Sequence, residues 1–166
     1  MFHMPPYPGW DGLHPIVLHF PIVLLLVAPL LVMAGLVVSR HRNGFYLSAL
    51  VLMVLGTVAA YVAVSTGEAA AQVADRTPEI NRVLSQHQSQ ADRVRLLFTV
   101  LTLVWLAIML VFHFISHQLA GWLKLAVPLV FLVCYLPGML ILTNMAHLGG
   151  RLVHQYGVHA MLPAEK

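Results

Sequence analysis

The sequence predicts an all-α integral membrane protein built as a bundle of four spanning helices, and two observations lead to that prediction. Of its 166 residues, 60% are hydrophobic and only 9% are charged, with a mean hydropathy of +0.84. An ordinary soluble domain does not have this composition. Four apolar runs are each long enough to cross a bilayer, which takes about 20 helical residues. We therefore expect one membrane domain over residues 1–166, with spans at about 15–38, 45–66, 94–116 and 125–147.

The first helix opens with a segment that contains two histidines and two prolines. This segment reads His14-Pro-Ile-Val-Leu-His19-Phe-Pro. Proline suits a first helical turn because its missing N–H would be unpaired there anyway. Pro21 frees the carbonyl of Val17, which predicts a bend beside His19. A histidine inside a span costs a few kcal/mol unless it is bound or paired, so both histidines are candidate ligands.

The second and third helices are predicted to continue beyond the bilayer as one hairpin over residues 67–93, with its turn at Thr77–Pro78. Apolar residues recur at helical spacing after Pro78 and through His87. Glu68 and His87 lie at similar distances from that turn, so the carboxylate is expected to contact and orient the imidazole. A solvent-side ion pair is the alternative. The small residues of the second helix, Gly67 among them, favour either close helix packing or a groove for a flat cofactor.

The fourth helix ends in a cluster of glycines, histidines and one arginine. His147, Arg151 and His154 share one helical face, within about 40° at 100° per residue. Because the number of spans is even, the N-terminus, the hairpin and the C-terminus lie on the same side of the membrane. The side chains gathered there are His14, His19, Glu68, His87, His147, Arg151 and His154. By depth, we expect His14 and His19 near His147, with His87 and His154 further out.

This cluster is best interpreted as a site for haem b, with one haem or two stacked near the same face. Such a site needs imidazoles on facing helices, small residues beside the ring and a cation for the propionates. The metal ligands would come from His14, His19, His87, His147 and His154, with Gly67, Glu68, Gly149, Gly150 and Arg151 around the cofactor. A Zn or Fe ion is the alternative, but it needs three or four donors at one point. A structural subunit without a cofactor is the third interpretation.

Several segments resemble a family of bacterial predicted membrane proteins, the domain of unknown function 2231. The resemblance rests on His14-Pro-x-x-x-His19-Phe-Pro, on Thr66-Gly67, on His87 followed by Ala91, and on Gly149-Gly150-x-Leu-Val with Gly157-Val158. It covers nearly the whole chain. It implies a four-helix bacterial membrane protein and no particular activity, so the haem site is an inference from the residues themselves.

The expected function is that of a b-type cytochrome subunit, an electron-transfer component rather than a stand-alone enzyme. The expected partners are the lipid bilayer, other membrane or external redox subunits, and quinone. A net charge of +3 over scattered residues gives no basis for nucleic-acid binding. We expect a bacterial cytoplasmic membrane location with both termini outward, because the short turn at Arg40-His41-Arg42 is basic. The larger number of basic residues on the hairpin side points the other way by a simple count.

Overall fold

A computed structural model describes residues 9–74, 76–115 and 118–158, and this part of the chain is helical with no strands. Its elements are a 3-10 turn at Asp11–Leu13, α1 (His14–Val17), α2 (His19–Val37), a 3-10 turn at Ser39–His41, α3 (Arg42–Gln72), α4 (Pro78–Ile115) and α5 (Leu123–His154). Four stretches within it are long and apolar enough to cross a membrane. The predicted all-α, four-span class is therefore confirmed. The residue limits of the spans relative to a bilayer remain a prediction.

The four long helices form a ring in which each packs against two neighbours. α2 contacts α3 and α5, and α4 also contacts α3 and α5. The diagonal pairs, α2 with α4 and α3 with α5, make no close backbone contact. Successive helices run antiparallel, as short connections require. This arrangement brings α1, the connection after α3 and the end of α5 to one end of the bundle.

Prolines lie within both helices of the first long apolar stretch. α1 and α2 meet at Leu18, three residues before Pro21, and the backbone of Leu18 stays in the right-handed helical region (φ −60°, ψ −24°). The bend expected beside His19 stays a prediction. Pro29 lies inside α2 and has no N–H to donate to the carbonyl of Leu25. That carbonyl instead accepts a hydrogen bond of 2.8 Å from the hydroxyl of Tyr135 on α5. A buried carbonyl left unpaired would be costly in a membrane, so this bond locks α2 to α5.

The middle of the bundle is filled by aromatic side chains. Trp105 is fully buried, with its ring centroid 5.1 Å from that of Tyr46 and 4.7 Å from that of Phe131. Its indole N–H donates to the carbonyl of Tyr46 at 3.2 Å. The hydroxyls of Thr57 and Thr102 are 2.9 Å apart and join α3 to α4 nearby. These groups of Trp105, Thr57 and Thr102 therefore find partners on neighbouring helices, whereas the buried hydroxyl of Tyr46 has no hydrogen-bond partner among the described residues.

A second apolar cluster lies at the end of the bundle that holds the connection between α3 and α4. Its buried members are Ala71, Ile80, Val83, Leu84, Leu148 and Leu152. α3 ends at Gln72 and α4 begins at Pro78, so helix is present on both sides of the predicted turn. The hairpin thus has its own core, closed by the last turns of α5. Its position beyond a bilayer stays a prediction.

Candidate functional site

Two histidines at this end of the bundle make closely similar contacts with a neighbouring helix. In the first, the His14 contact, the ring of His14 lies on α3 beside Gly67. Its Nδ1 is 3.0 Å from the carbonyl oxygen of Ala63 and 3.2 Å from the hydroxyl oxygen of Thr66. A Cβ added at Gly67 would lie 2.9 Å from Cε1 of His14. Only glycine at this position admits the imidazole without a shift.

The neighbours of His14 determine which ring nitrogen carries the proton. The hydroxyl of Thr66 has one hydrogen, which it donates within α3, to the carbonyls of Val62 and Ala63. Towards His14 this hydroxyl is therefore an acceptor, as the carbonyl of Ala63 must be. Both partners of Nδ1 are acceptors, so Nδ1 carries the hydrogen and donates it. A neutral His14 then has its lone pair on Nε2.

The second, the His87 contact, joins α4 to α5 in the same way. Nδ1 of His87 donates to the carbonyl of Met145 at 3.0 Å. A Cβ added at Gly149 would lie 3.1 Å from Cε1 of His87. In both contacts the ring bonds a carbonyl and lies on the glycine four residues later, one helical turn further along.

The protonation state of His87 follows from its surroundings. A carbonyl can only accept, so Nδ1 carries the hydrogen here too, and the lone pair is on Nε2. Among the described residues, Nε2 of His87 has no hydrogen-bond partner. Burial lowers the pKa of His87, and the hydrogen bond to the carbonyl of Met145 opposes that shift in part. His87 precedes the predicted span at 94–116, and it is a neutral, oriented imidazole at neutral pH.

The other predicted site residues lie at the same end of the bundle but on its outside. His19, His147, His154 and Glu68 are exposed. Arg151 is half-buried, and its Nε donates to the side-chain oxygen of Gln155 at 2.9 Å. Gly150 has no atom within 4 Å of the position where a Cβ would be. Within the described part of the chain, His14 and His87 are the two of the five predicted histidine ligands that are held by contacts with a neighbouring helix.

The expected pairing of Glu68 with His87 is wrong as a direct hydrogen bond. The only described partner of the His87 ring is the carbonyl of Met145, and Glu68 is exposed. Distance from a turn gives the height of a residue on a hairpin but not the direction of its side chain. His87 points towards α5, whereas Glu68 lies on α3.

The expected order of depths also needs correction. We expected His87 further from the bilayer centre than His147. The ring of His87 packs between the carbonyl of Met145 and Gly149, which is the turn of α5 that contains His147. The two histidines are therefore at one level. The error arose because the register between α4 and α5 depends on packing rather than on distance from the turn.

A compact metal-ion site does not form in the described part of the chain. No three side chains among histidine, cysteine, aspartate and glutamate come together there. Ions such as Zn²⁺ need three or four converging donors. The arrangement instead offers two single imidazoles, each oriented through Nδ1, which is how protein ligands to metals are commonly held.

A family model described as a predicted membrane protein (DUF2231) matches residues 11–161. The chain belongs to the DUF2231 family. The match contains every residue of the His14 and His87 contacts and all four candidate spans. No curated protein and no solved structure matches the chain significantly. The resemblance seen in the sequence is confirmed, and the family description states membrane location without an activity.

Sequence reasoning found the histidines and glycines of this family member but missed their partners. Thr66, and the backbone carbonyls of Ala63 and Met145, were not predicted as parts of the site. The signal was present in the spacing. A glycine in a helix uncovers the turn before it, so a carbonyl four residues earlier becomes reachable for a side chain from a neighbouring helix. The sequence interpretation treated the glycines as space for a cofactor. In the structure, the imidazole rings of His14 and His87 contact Gly67 and Gly149.

Proposed function

We propose that this chain is a membrane b-type cytochrome subunit that relays electrons between an external redox partner and quinone or a larger membrane complex. The observation that carries the proposal is the pair of imidazoles fixed through Nδ1 at one end of the bundle. Fixing Nδ1 by a backbone carbonyl sets the tautomer and directs the Nε2 lone pair, which is the form in which histidine binds iron.

The helices that supply these groups support the same proposal. His14 comes from α1, which leads into α2, and His87 comes from α4, on the opposite corner of the bundle. Gly67 and Gly149 come from α3 and α5, on the other diagonal. Haem held in a helix bundle needs axial ligands from two separate helices and small residues on the helices between them.

The heights of the two imidazoles are compatible with a shared cofactor. Gly67 lies five residues before the end of α3 at Gln72, and His87 lies nine residues after the start of α4 at Pro78. The difference of four residues corresponds to about 6 Å along a helix. Gly67, which His14 contacts, therefore lies about one turn nearer the hairpin end than His87.

The remaining residues at this end fit supporting roles. Arg151 lies two residues beyond Gly149 and would place a cation near the propionates. When bound, haem supplies a one-electron couple, whose potential depends on axial ligands, burial and nearby charge. The protein's own contribution is to orient the two imidazoles and to provide an apolar cluster around Leu148 and Leu152. Exposed His19, His147 and His154 have no described contact that would orient them in this way.

We place this end outside a bacterial cytoplasmic membrane, with the α3–α4 hairpin projecting from it. α3 has 31 residues and α4 has 38. At about 1.5 Å per residue these helices are roughly 46 and 57 Å long, against a hydrocarbon thickness of about 30 Å. Their polar ends, including Glu68 and Glu79, then lie in water, while the basic turn at Arg40 and Arg42 lies inside.

A second candidate function follows from the close fit of each ring to its glycine. In a structural subunit without a cofactor, His14 and His87 would serve as polar contacts between helices. Side-chain hydrogen bonds between membrane helices contribute up to about 1 to 2 kcal/mol each. This structural function does not require a ligand on Nε2 of either histidine.

The visible absorption spectrum of the purified full-length chain separates the two functions. The chain is produced in cells supplied with a haem precursor, and the spectrum is taken before and after reduction. A Soret band that shifts on reduction is expected, together with loss of that band in the double variant H14A/H87A. A folded, helical protein with no Soret band, even after incubation with haem, would contradict the cytochrome function and favour the structural one.

A further inference from the structure

A polar groove lies between α4 and α5 on the outside of the bundle, apart from the two histidine contacts. It has a volume of about 590 Å³. Its polar lining consists of Ser85, Gln86, Ser89, Gln90 and Arg93 from α4 and Asn144 from α5. The lining contains amide and hydroxyl groups, one cation and no carboxylate. Such a surface favours a ligand with several hydrogen-bonding oxygens and a negative charge.

The positive charge of Arg93 is not neutralised within the described part of the chain. Arg93 is exposed and makes no ion pair or hydrogen bond with a described residue. The adjacent carboxylate, Asp92, is 2.9 Å from the guanidinium of Arg95. Arg95 in turn lies over the ring of Tyr61 on α3, with its Cζ 5.3 Å from the centroid. Asp92 and Arg95 are thus paired beside α3, and Arg93 alone gives the groove its charge.

The groove lies where α4 changes from polar to apolar. Residues 78–95 of α4 contain all of its charged side chains, and Leu96–Ile115 contains none. On α5, Asn144 follows the apolar stretch in the same way. Arginine and asparagine at such a boundary lie at the level of lipid headgroups.

A second, apolar groove lies between α4 and α5 nearer the other end of the bundle. It has a volume of about 330 Å³, and its α4 lining includes Val104, Ile108 and Val111. Arg93, Leu97, Val100, Val104 and Ile108 follow one another at intervals of three or four residues, which places them on one face of the helix. Arg93 and Val104 are separated by about 16 Å along the helix, close to half of a hydrocarbon core of about 30 Å.

We propose that this face of α4 binds an anionic glycerophospholipid, with its phosphate at Arg93, its headgroup oxygens on the amides, and one acyl chain along the apolar groove. The guanidinium group of arginine can donate two parallel hydrogen bonds to a phosphate (a bidentate contact), which the ammonium group of lysine cannot do. Basic pockets between membrane helices recognise such headgroups. The site does not depend on whether the chain carries haem.

The test measures lipid selectivity by electron paramagnetic resonance, using the full chain in phosphatidylcholine bilayers that contain a trace of spin-labelled lipid. For the wild type, labelled phosphatidylglycerol should associate about fivefold more strongly than labelled phosphatidylcholine, the ratio expected for one basic residue at a membrane surface. R93Q should bring that ratio close to one. R95Q is the matched control, because it removes the same charge at nearly the same depth but away from the groove, and it should keep most of the selectivity.

A second variant and a competitor complete the test. N144L should also lower the selectivity, since Asn144 lines the groove on α5 with an exposed side chain. Excess inorganic phosphate, compared with chloride at equal ionic strength, should leave the selectivity unchanged. Selectivity retained in R93Q, lost equally in R95Q, or abolished by inorganic phosphate would overturn the proposal; the last result would indicate a site for the free anion.

Discussion

The His14 and His87 contacts have the same local geometry but belong to helices of very different length. His14 lies at the start of α1, a helix of four residues, and His87 is the tenth residue of α4, a helix of 38 residues. α1 lies at the N-terminal end of the described chain and is only four residues long, so we expect it to move away from α3 more easily than α4 moves from its neighbours. α4 packs against both α3 and α5. The His14 contact therefore holds only the short N-terminal segment, whereas the His87 contact joins two long helices of the bundle.

The largest effect is expected for H87A in the cofactor-free protein. The substitution removes a largely buried ring from the α4–α5 interface and leaves the carbonyl of Met145 without its side-chain donor. Large-to-small changes at packed sites cost about 2 to 4 kcal/mol. H14A should lower the free energy of unfolding by less than half as much, since α1 can detach locally. The free energy of unfolding is measured by denaturant titration in detergent. An equal decrease in H14A and H87A would contradict the expected difference between the two contacts.

The glycine substitutions should differ next most strongly, and they offer a matched pair. G149A brings a Cβ to 3.1 Å from the ring of His87, whereas a Cβ at Gly150 meets nothing within 4 Å. G149A should lower stability by about 1 to 2 kcal/mol through overpacking. G150A should raise it by up to about 1 kcal/mol, because alanine favours helix over glycine. Thermal unfolding of both variants gives the signs, and a stabilised G149A would refute the fit of ring to glycine.

G67A should affect the local opening of α1 more than it affects the stability of the whole protein. Its Cβ would lie 2.9 Å from Cε1 of His14, so the ring must move. Because α1 is short, we expect faster hydrogen exchange over residues 11–17 with a melting temperature close to that of the wild type. G149A should show the opposite, a lowered melting temperature with no local change near α1.

The His87 contact should make stability depend on pH. Burial holds the pKa of His87 below its ordinary value, about 6.5. As pH falls below about 6.5, the unfolded chain binds a proton that the folded chain does not, so the free energy of unfolding decreases, by at most about 1.4 kcal/mol per pH unit. The difference between the wild type and H87Q isolates this term from the other histidines. A wild type whose stability is flat between pH 6.5 and 5 relative to H87Q would contradict the burial of a neutral ring.

The smallest change in stability is expected for a substitution of Thr66. Its hydroxyl is a second acceptor for Nδ1 of His14, whereas Nδ1 of His87 has one described acceptor. T66V keeps the shape of the side chain and removes one of the two acceptors for Nδ1 of His14, leaving the carbonyl of Ala63. The loss should be about 0.5 to 1 kcal/mol, since one of two shared hydrogen bonds remains. Hydrogen exchange at residues 11–17 should rise modestly, and by less than in G67A.

Much of the fold could be predicted because it follows from patterns that are local in the chain. Apolar runs predicted the four long helical stretches, and Pro78 marked the start of α4. An even number of spans placed the histidines at one end. These predictions do not depend on which neighbouring helix a given side chain faces.

The site could be predicted only as far as its residues. Which neighbour His87 faces depends on the rotation and register of α4 against α5, set by packing of residues such as Val94, Phe98 and Leu148. Glu68 shares its approximate height but not its direction, so the expected direct hydrogen bond does not form; a pairing through one water stays a prediction. The carbonyls that fix both rings belong to Ala63 and Met145, whose side chains carry no chemical signal.

The most direct test of the account is the haem content of four purified single variants, H14A, H87A, H147A and H154A, measured as haem per folded chain. The account predicts that H14A and H87A lose most of the bound haem, while H147A and H154A, whose side chains are exposed, retain it. Circular dichroism confirms that each variant is helical. Full haem occupancy in H87A, or a loss in H147A as large as that in H87A, would contradict the claim that the two fixed imidazoles form the site.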